Sequence, residues 1–198
     1  MLTLPHSVRL SFTLLGMQDA ALLFEVDQDE EVMRYLNGGK RSSMADIEQT
    51  MLPRMAKYLD PALGYGIWQV RRLSDQAYLG WVLIRPMGFD TEAPAKDDVE
   101  IGWRFKRAYW GQGYASEAAQ AVATAVLANK PQVQYLSAIA VEDNLGSIGV
   151  MRKLGMTFVK KYRHHDSFGE LDAVLYRLTL TSTSPSLKLQ EHASDPAQ

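Results

Sequence analysis

Gly111, Gln112, Gly113, Tyr114 and Ala115 set two glycines one residue apart, directly before an alanine-rich stretch. The apolar alternation over 99–105 predicts a strand that stops at this turn, and the spacing beyond it predicts a helix over 113–129. At such a junction main-chain N–H groups point outward at the positive end of a helix dipole, which makes an anion site. The glycines permit both the turn and close approach by a phosphate. No lysine follows in the pattern GxxxxGK[ST] that reaches the terminal phosphates of ATP or GTP. The single short strand, turn and helix also lacks the full GxGxxG spacing of a dinucleotide site. A diphosphate held by main-chain amides alone, beside a strand end, suggests coenzyme A as the ligand.

The rest of the chain must position that turn. With 198 residues, 46% of them hydrophobic, it is long enough for one well-buried core and short for two. A net charge of -2 gives no global field toward nucleic acid or an anionic membrane, and neither is expected as a partner. Cysteine is absent, which removes disulfides, thiolate metal sites and thiol nucleophiles together and fits a reducing cytoplasm. Any thioester chemistry must use a borrowed sulfur. The N-terminal residues show no cationic segment followed by an apolar run, and no stretch approaches a membrane span, so a cytoplasmic protein is expected.

Periodicity predicts a first strand over 8–14 and short helices over 18–26 and 29–36, closed by Asn37-Gly38-Gly39. Ser42 and Ser43, with Asp46 and Glu48 behind them, cap a helix running through Lys57, with Pro53 bending or breaking it. Strands over 67–71 and 78–85 form an antiparallel hairpin across Ser74-Asp75-Gln76. After the loop 88–98 come the strand and helix of the glycine-rich turn, then a strand over 135–141 and a helix over 145–154 ended by Gly155. Strands over 157–162 and 171–180, joined by a polar loop over 164–170, close the domain. This order predicts an α/β layer with a mixed, largely antiparallel sheet over residues 1–180. Residues 181–198 shift to Ser, Thr, Pro, Gln and Asp and read as a flexible polar tail.

Three pieces in order resemble the GNAT N-acetyltransferase superfamily, in particular the branch of ribosomal-protein N-terminal acetyltransferases. The pattern [QR]-x-x-G-x-[GA] matches Trp110-Gly111-Gln112-Gly113-Tyr114-Ala115, departing at Trp110. Asn144-Leu-Gly-Ser147 with Lys153-Leu154-Gly155-Met156 resembles the second signature, and Asp29 to Leu36 is similar to the helix beside the acceptor pocket. The resemblance implies an α+β fold of about seven strands, splayed between the fourth and fifth. It also implies acetyl-CoA as cosubstrate, no metal, and direct attack by a primary amine in a ternary complex. The pantetheine arm would pair with Trp103, Arg104 and Phe105, and the acetyl oxygen would accept a main-chain N–H near Phe105. Asn144 would hydrogen-bond the pantetheine arm or cap the following helix, Ser147 would lie near the cofactor, and the charge of Arg152 suits a contact with a CoA phosphate.

An amine with a pKa of about 10.4 must lose a proton before it attacks. Glu100 is the candidate general base through a water, with an equally weighted alternative in which it only satisfies a neighbouring strand. Relatives commonly use a tyrosine seven residues after the asparagine to protonate the leaving thiolate, but that position is Met151. Ser147 is the nearest substitute, or simply a small helix residue near the cofactor. His164, His165 and Asp166 lack a third ligand at a metal spacing and read as a solvated loop. The acidic run 27–31 reads as helix stabilisation, and Lys106-Arg107 as solvent-facing. The four tryptophans read as core, with Trp110 also covering the turn. The acceptor stays open between a protein N-terminus and a small molecule, and a homodimer is allowed. A noncatalytic acyl-CoA-binding module is the rival reading.

Overall fold

Apolar side chains alternate along seven segments and send successive residues to opposite faces of one sheet, so both faces must be covered. The computed structural model describes residues 1–166 and 169–180, and the expected polar tail lies outside them. The strands are β1 (Leu10–Leu14), β2 (Gly66–Arg72), β3 (Tyr78–Pro86), β4 (Asp98–Phe105), β5 (Tyr135–Val141), β6 (Thr157–Asp166) and β7 (Gly169–Thr179). They lie in the order β1-β2-β3-β4-β5-β7-β6. Every neighbouring pair is antiparallel except β4 and β5. This is the mixed, mostly antiparallel α/β sheet that the element order predicts.

Helices α5 (Tyr114–Leu127) and α6 (Leu145–Lys153) cover one face, where Trp68, Val82, Ile84, Ile101, Val122 and Leu136 share a core. The other face is covered by α1 (Ala20–Val26), α2 (Glu30–Asn37), α3 (Met44–Asp46), a π-helical turn Ile47–Met51 and α4 (Leu52–Ala56). There Leu23, Val26, Ile47, Met55, Ile67, Trp81 and Leu83 form a second core. The neighbours Ile67 and Trp68, Trp81 and Val82, and Leu83 and Ile84 divide between the two cores, which is the period of two made visible.

Ser43 begins the third helical run with a reciprocal capping box to Asp46. The bend expected at Pro53 takes the form of a π-helical turn immediately before it, closed by the Leu52 amide donating to the Ile47 carbonyl. Pro53 has no N–H and its ring crowds the carbonyl one turn back, so the wider turn relieves both.

One boundary departs from expectation. Residues 164–170 were expected to be loop, yet β6 runs to Asp166 and β7 starts at Gly169, with His164 opposite Leu171. A two-stranded ribbon satisfies its main chain without a buried face, so polar side chains do not stop it. The expected splay creates the site: β4 pairs with β5 only from Asp98 to Glu100, against Tyr135 to Ser137. Beyond Glu100 the strands separate, as the resemblance implied.

Candidate active site

The gap between β4 and β5 exposes main chain that a closed sheet would consume. Lys106 N–H donates to the Leu79 carbonyl at 2.9 Å, toward β3. Successive residues alternate in direction along a strand, so the N–H and C=O of Phe105 face the gap. The Trp110 indole donates to that carbonyl at 2.8 Å and roofs the end of the strand. Trp110 is half exposed, so this substitution at the first motif position closes the site without joining the core.

Past Trp110 the chain turns with Gly111 at φ 73° and Gly113 at φ 79°, conformations that favour glycine. Among the described residues, no hydrogen bond uses the amide N–H groups of residues 111–116; the first to bond is Glu117, back to the Gly113 carbonyl at 3.1 Å. Donors of this kind at a 14-residue helix suit a bound anion. Glu117 would oppose an anion here, but Arg9 holds its carboxylate at 2.6 Å, assisted by the Ser7 hydroxyl at 2.7 Å. Arg9 also donates to the Gln112 carbonyl at 3.1 Å and lies over the Tyr114 ring. Sequence spacing carries no sign of this arginine, which stands more than a hundred residues from its partner.

On the opposite wall Asn144 caps α6 by accepting from the Ser147 amide at 3.0 Å. A cavity of about 1080 Å³ runs from the turn, through the gap, to the side of the sheet covered by α2 and α4. Trp103, Arg104, Phe105, Trp110, Gly111, Ala115, Asn144 and Ser147 all line it. Met151, in the usual tyrosine position, is buried against it.

Other expected site residues fall elsewhere. Gln112 is exposed and its amide donates to the Ala108 carbonyl, while the Tyr114 ring is buried, so these two and Gly113 offer the site only main chain. Arg152 is exposed on the last turn of α6, about two turns from Asn144, and does not line the cavity. Helical spacing turns it away. Glu100 does not line the cavity either: its two oxygens accept from Arg85 Nε and Nη2 at 2.9 and 2.8 Å. Of the two roles weighed for it, the structure displays the cross-strand partner.

The half of the cavity beyond the gap holds groups that sequence reasoning passed over. Asp27, in the acidic run read as helix stabilisation, is fully buried, paired with Arg104 and bonded by the Ser42 hydroxyl at 2.6 Å. Glu25 and Asp29 on either side pair with Lys106 and Arg107, so the acidic run fastens to the basic end of β4 and the residues after it. Arg85 lies over the Phe89 ring at 3.9 Å and the Tyr58 ring at 5.1 Å. Burial pushes the Tyr58 hydroxyl above the usual phenol range, so it stays a donor at neutral pH.

His164 sits on β6 with Nδ1 3.2 Å from the Tyr162 hydroxyl. Among the described residues there is no group of three His, Asp or Glu side chains able to hold a metal ion, and no helix is long and apolar enough to cross a membrane.

A sequence model of the acetyltransferase (GNAT) domain family matches residues 9–157. The YkkB protein of Bacillus subtilis is 31% identical over 149 residues, covering 74% of this chain and 80% of that one. FsC-acetyl coenzyme A-N(2)-transacetylase of Aspergillus fumigatus is 26% identical over 162 residues; the match takes in 79% of this chain and 66% of that protein's length. Among solved structures, RimL, a ribosomal L7/L12 alpha-N-protein acetyltransferase in complex with coenzyme A, aligns with a TM-score of 0.67 at 16% identity, over 89% of this chain and 97% of that one. That likeness is one of fold. With the family match spanning the strand, the turn and the capped helix that build the cleft, the chain belongs to the GNAT acetyltransferase family.

Proposed function

We propose that this protein transfers the acetyl group of acetyl-CoA to a primary amine by direct attack in a ternary complex. The observation that carries this reading is a single cavity with unused amides at one end, open main chain in the middle and a separate chamber beyond. The diphosphate binds the amides of residues 111–116 and the pantetheine arm follows Trp103 to Phe105. The Phe105 N–H donates to the developing oxyanion. The amine nitrogen attacks the thioester carbon, its proton leaves to water in the cleft, and the C–S bond breaks. The Ser147 hydroxyl, on the cavity wall at the start of α6, passes its proton to the departing thiolate and regains one from the water that took the amine proton.

Glu100 then acts through Arg85 and not as the base, because both of its oxygens face that guanidinium. The acceptor is an amine on a protein terminus or a small molecule. A cytoplasmic setting fits the absence of cysteine.

The buried Met151, which has no proton to give, favours a second reading, a noncatalytic acyl-CoA-binding module. Thiol release from acetyl-CoA across a panel of amines separates the two. Turnover with any amine supports transfer. Tight acetyl-CoA binding with no turnover, and no change on Ser147→Ala, supports the module.

A further inference from the structure

The acceptor chamber is walled in part by three arginines, two of which have their neutralising acids behind them. Arg54, Arg85 and Arg104 all line the cavity, and their side chains are 12, 11 and 13% exposed. The partners of the first two, Asp90 and Glu100, do not line it. At Arg54 and Arg85 a ligand in the chamber therefore meets the guanidinium before the carboxylate that pairs with it. Glu100 takes the Nε and one Nη2 hydrogen of Arg85, and a guanidinium carries five N–H donors in a planar fork. Glu100 does not take the end-on edge formed by Nη1 and the second Nη2 hydrogen, the geometry that donates two parallel bonds to a carboxylate.

That fork is also fixed in place. Arg85 stacks on Phe89 at 3.9 Å, and Arg54 approaches the same ring at 5.1 Å from its centre. Tyr58 meets Phe89 edge to face at 4.9 Å and adds a hydroxyl to the same wall. Fixing a cation by stacking removes the entropy that a flexible side chain would lose on binding. Among the described residues four acids line the cavity and do not reverse this balance: Asp27 is taken up by Arg104 and Ser42, Asp46 by its capping box with Ser43, Glu31 lies 3.7 Å from Arg34, and with Asp143 they face the six cations Arg34, Lys40, Arg41, Arg54, Arg85 and Arg104.

We infer that the acceptor is an amine that also carries a carboxylate, held by Arg85 and Arg54 while the amine points toward the open main chain of β4. Polycationic amines are disfavoured, since each further ammonium would enter a wall of like charge with little water to screen it. This inference rests on the acetyl-transfer reading and narrows its acceptor.

The test compares each of the common amino acids with its carboxamide and its decarboxylated amine, and adds spermidine and kanamycin as polycations. Thiol release gives kcat/KM, and calorimetric titration into protein saturated with CoA gives affinity in the absence of turnover. The expected result is a preference of at least tenfold for an acid over its own carboxamide, with the polycations weakest. Arg85→Gln should erase that preference. Because this variant leaves Glu100 buried alone and can misfold, Arg54→Gln, verified by its melting curve, is the second variant and should reduce the preference several-fold. Equal or better use of the carboxamides or polycations overturns the inference, as does silence of every acid while acetyl-CoA still binds. Failure of acetyl-CoA itself to bind overturns the parent reading instead.

Discussion

Gly80 lies so close to Arg104 that a methyl group on its Cα would stand 2.2 Å from the Arg104 carbonyl oxygen and 2.7 Å from the Phe105 Cα. Its φ of 148° is also one that other residues rarely adopt. The register of β2 against β3 shifts beside it, between Val70 and Arg71. At this point β3 presses on the last turn of main chain that borders the gap. Gly80→Ala must push β4 outward, and the combined strain and overpacking costs about 2–4 kcal/mol. Urea denaturation should show that loss. Steady-state kinetics should show kcat falling more than the affinity for acetyl-CoA, because the Phe105 N–H moves while residues 111–116 do not.

Asp27 supplies a second prediction. A fully buried carboxylate bonded to Arg104 and Ser42 leaves an unpaired cation when removed, so Asp27→Ala should destabilise the fold by about 3–5 kcal/mol. Pairing it with Arg104→Met removes the stranded charge and should recover more than half of that. A double variant as unstable as the single one would mean that the ion pair matters only for its volume.

The glycine turn and the capped helix of this cleft are legible in the sequence because their geometry is local. Two glycines, a strand before them and a small-residue helix after them determine where the amides point. Asn144 and Ser147 likewise cap their own helix. The acceptor half depends on contacts across the sheet: Arg85 meets Glu100 through strand pairing, and Asp27 meets Arg104 across 77 residues. Nothing in the local pattern distinguishes Asp27, buried, from Glu30, exposed. The same limit explains Arg152, whose charge suggested a phosphate contact until the helical turn carried it to the outside. It also explains residues 164–170, where polarity was read as a loop and main-chain pairing overrode it.

Glu100→Gln tests the role of that carboxylate. If Glu100 acts by holding Arg85, the amide keeps one of the two bonds, kcat/KM falls about tenfold or less, and the acid limb of the pH–rate profile stays. A general base would cost about 10²–10⁴ and the limb would vanish. The measurement is kcat/KM from pH 5.5 to 9.5 for both proteins.

Alkali should weaken the fold through its tyrosines. Burial pushes Tyr58, Tyr65 and Tyr78 above the ordinary phenol range, and burial with the nearby Glu100 charge pushes Tyr162 up to about 12. In the unfolded chain these groups lose protons near pH 10. Their contribution is therefore complete below about pH 10 and is lost as pH climbs toward 12. Urea midpoints measured at pH 9, 10, 11 and 11.5 should fall steadily, and Tyr162→Phe should fall less steeply. Midpoints that stay level across that range would contradict the assignment.

Ser147 offers the sharpest check on the leaving-group step. A thiol near pKa 8.5 departs without much help, so the acid contributes at the low end of its usual range. Ser147→Ala should lower kcat about ten- to a hundredfold while the KM for acetyl-CoA changes less than threefold, since the cap uses the Ser147 main chain and the Asn144 side chain, both retained. An acetyl donor with a more acidic thiol should restore most of the lost rate to the variant and add little to the parent enzyme. A deficit that stays the same with both donors would move Ser147 from proton donor to a packing role on the cavity wall.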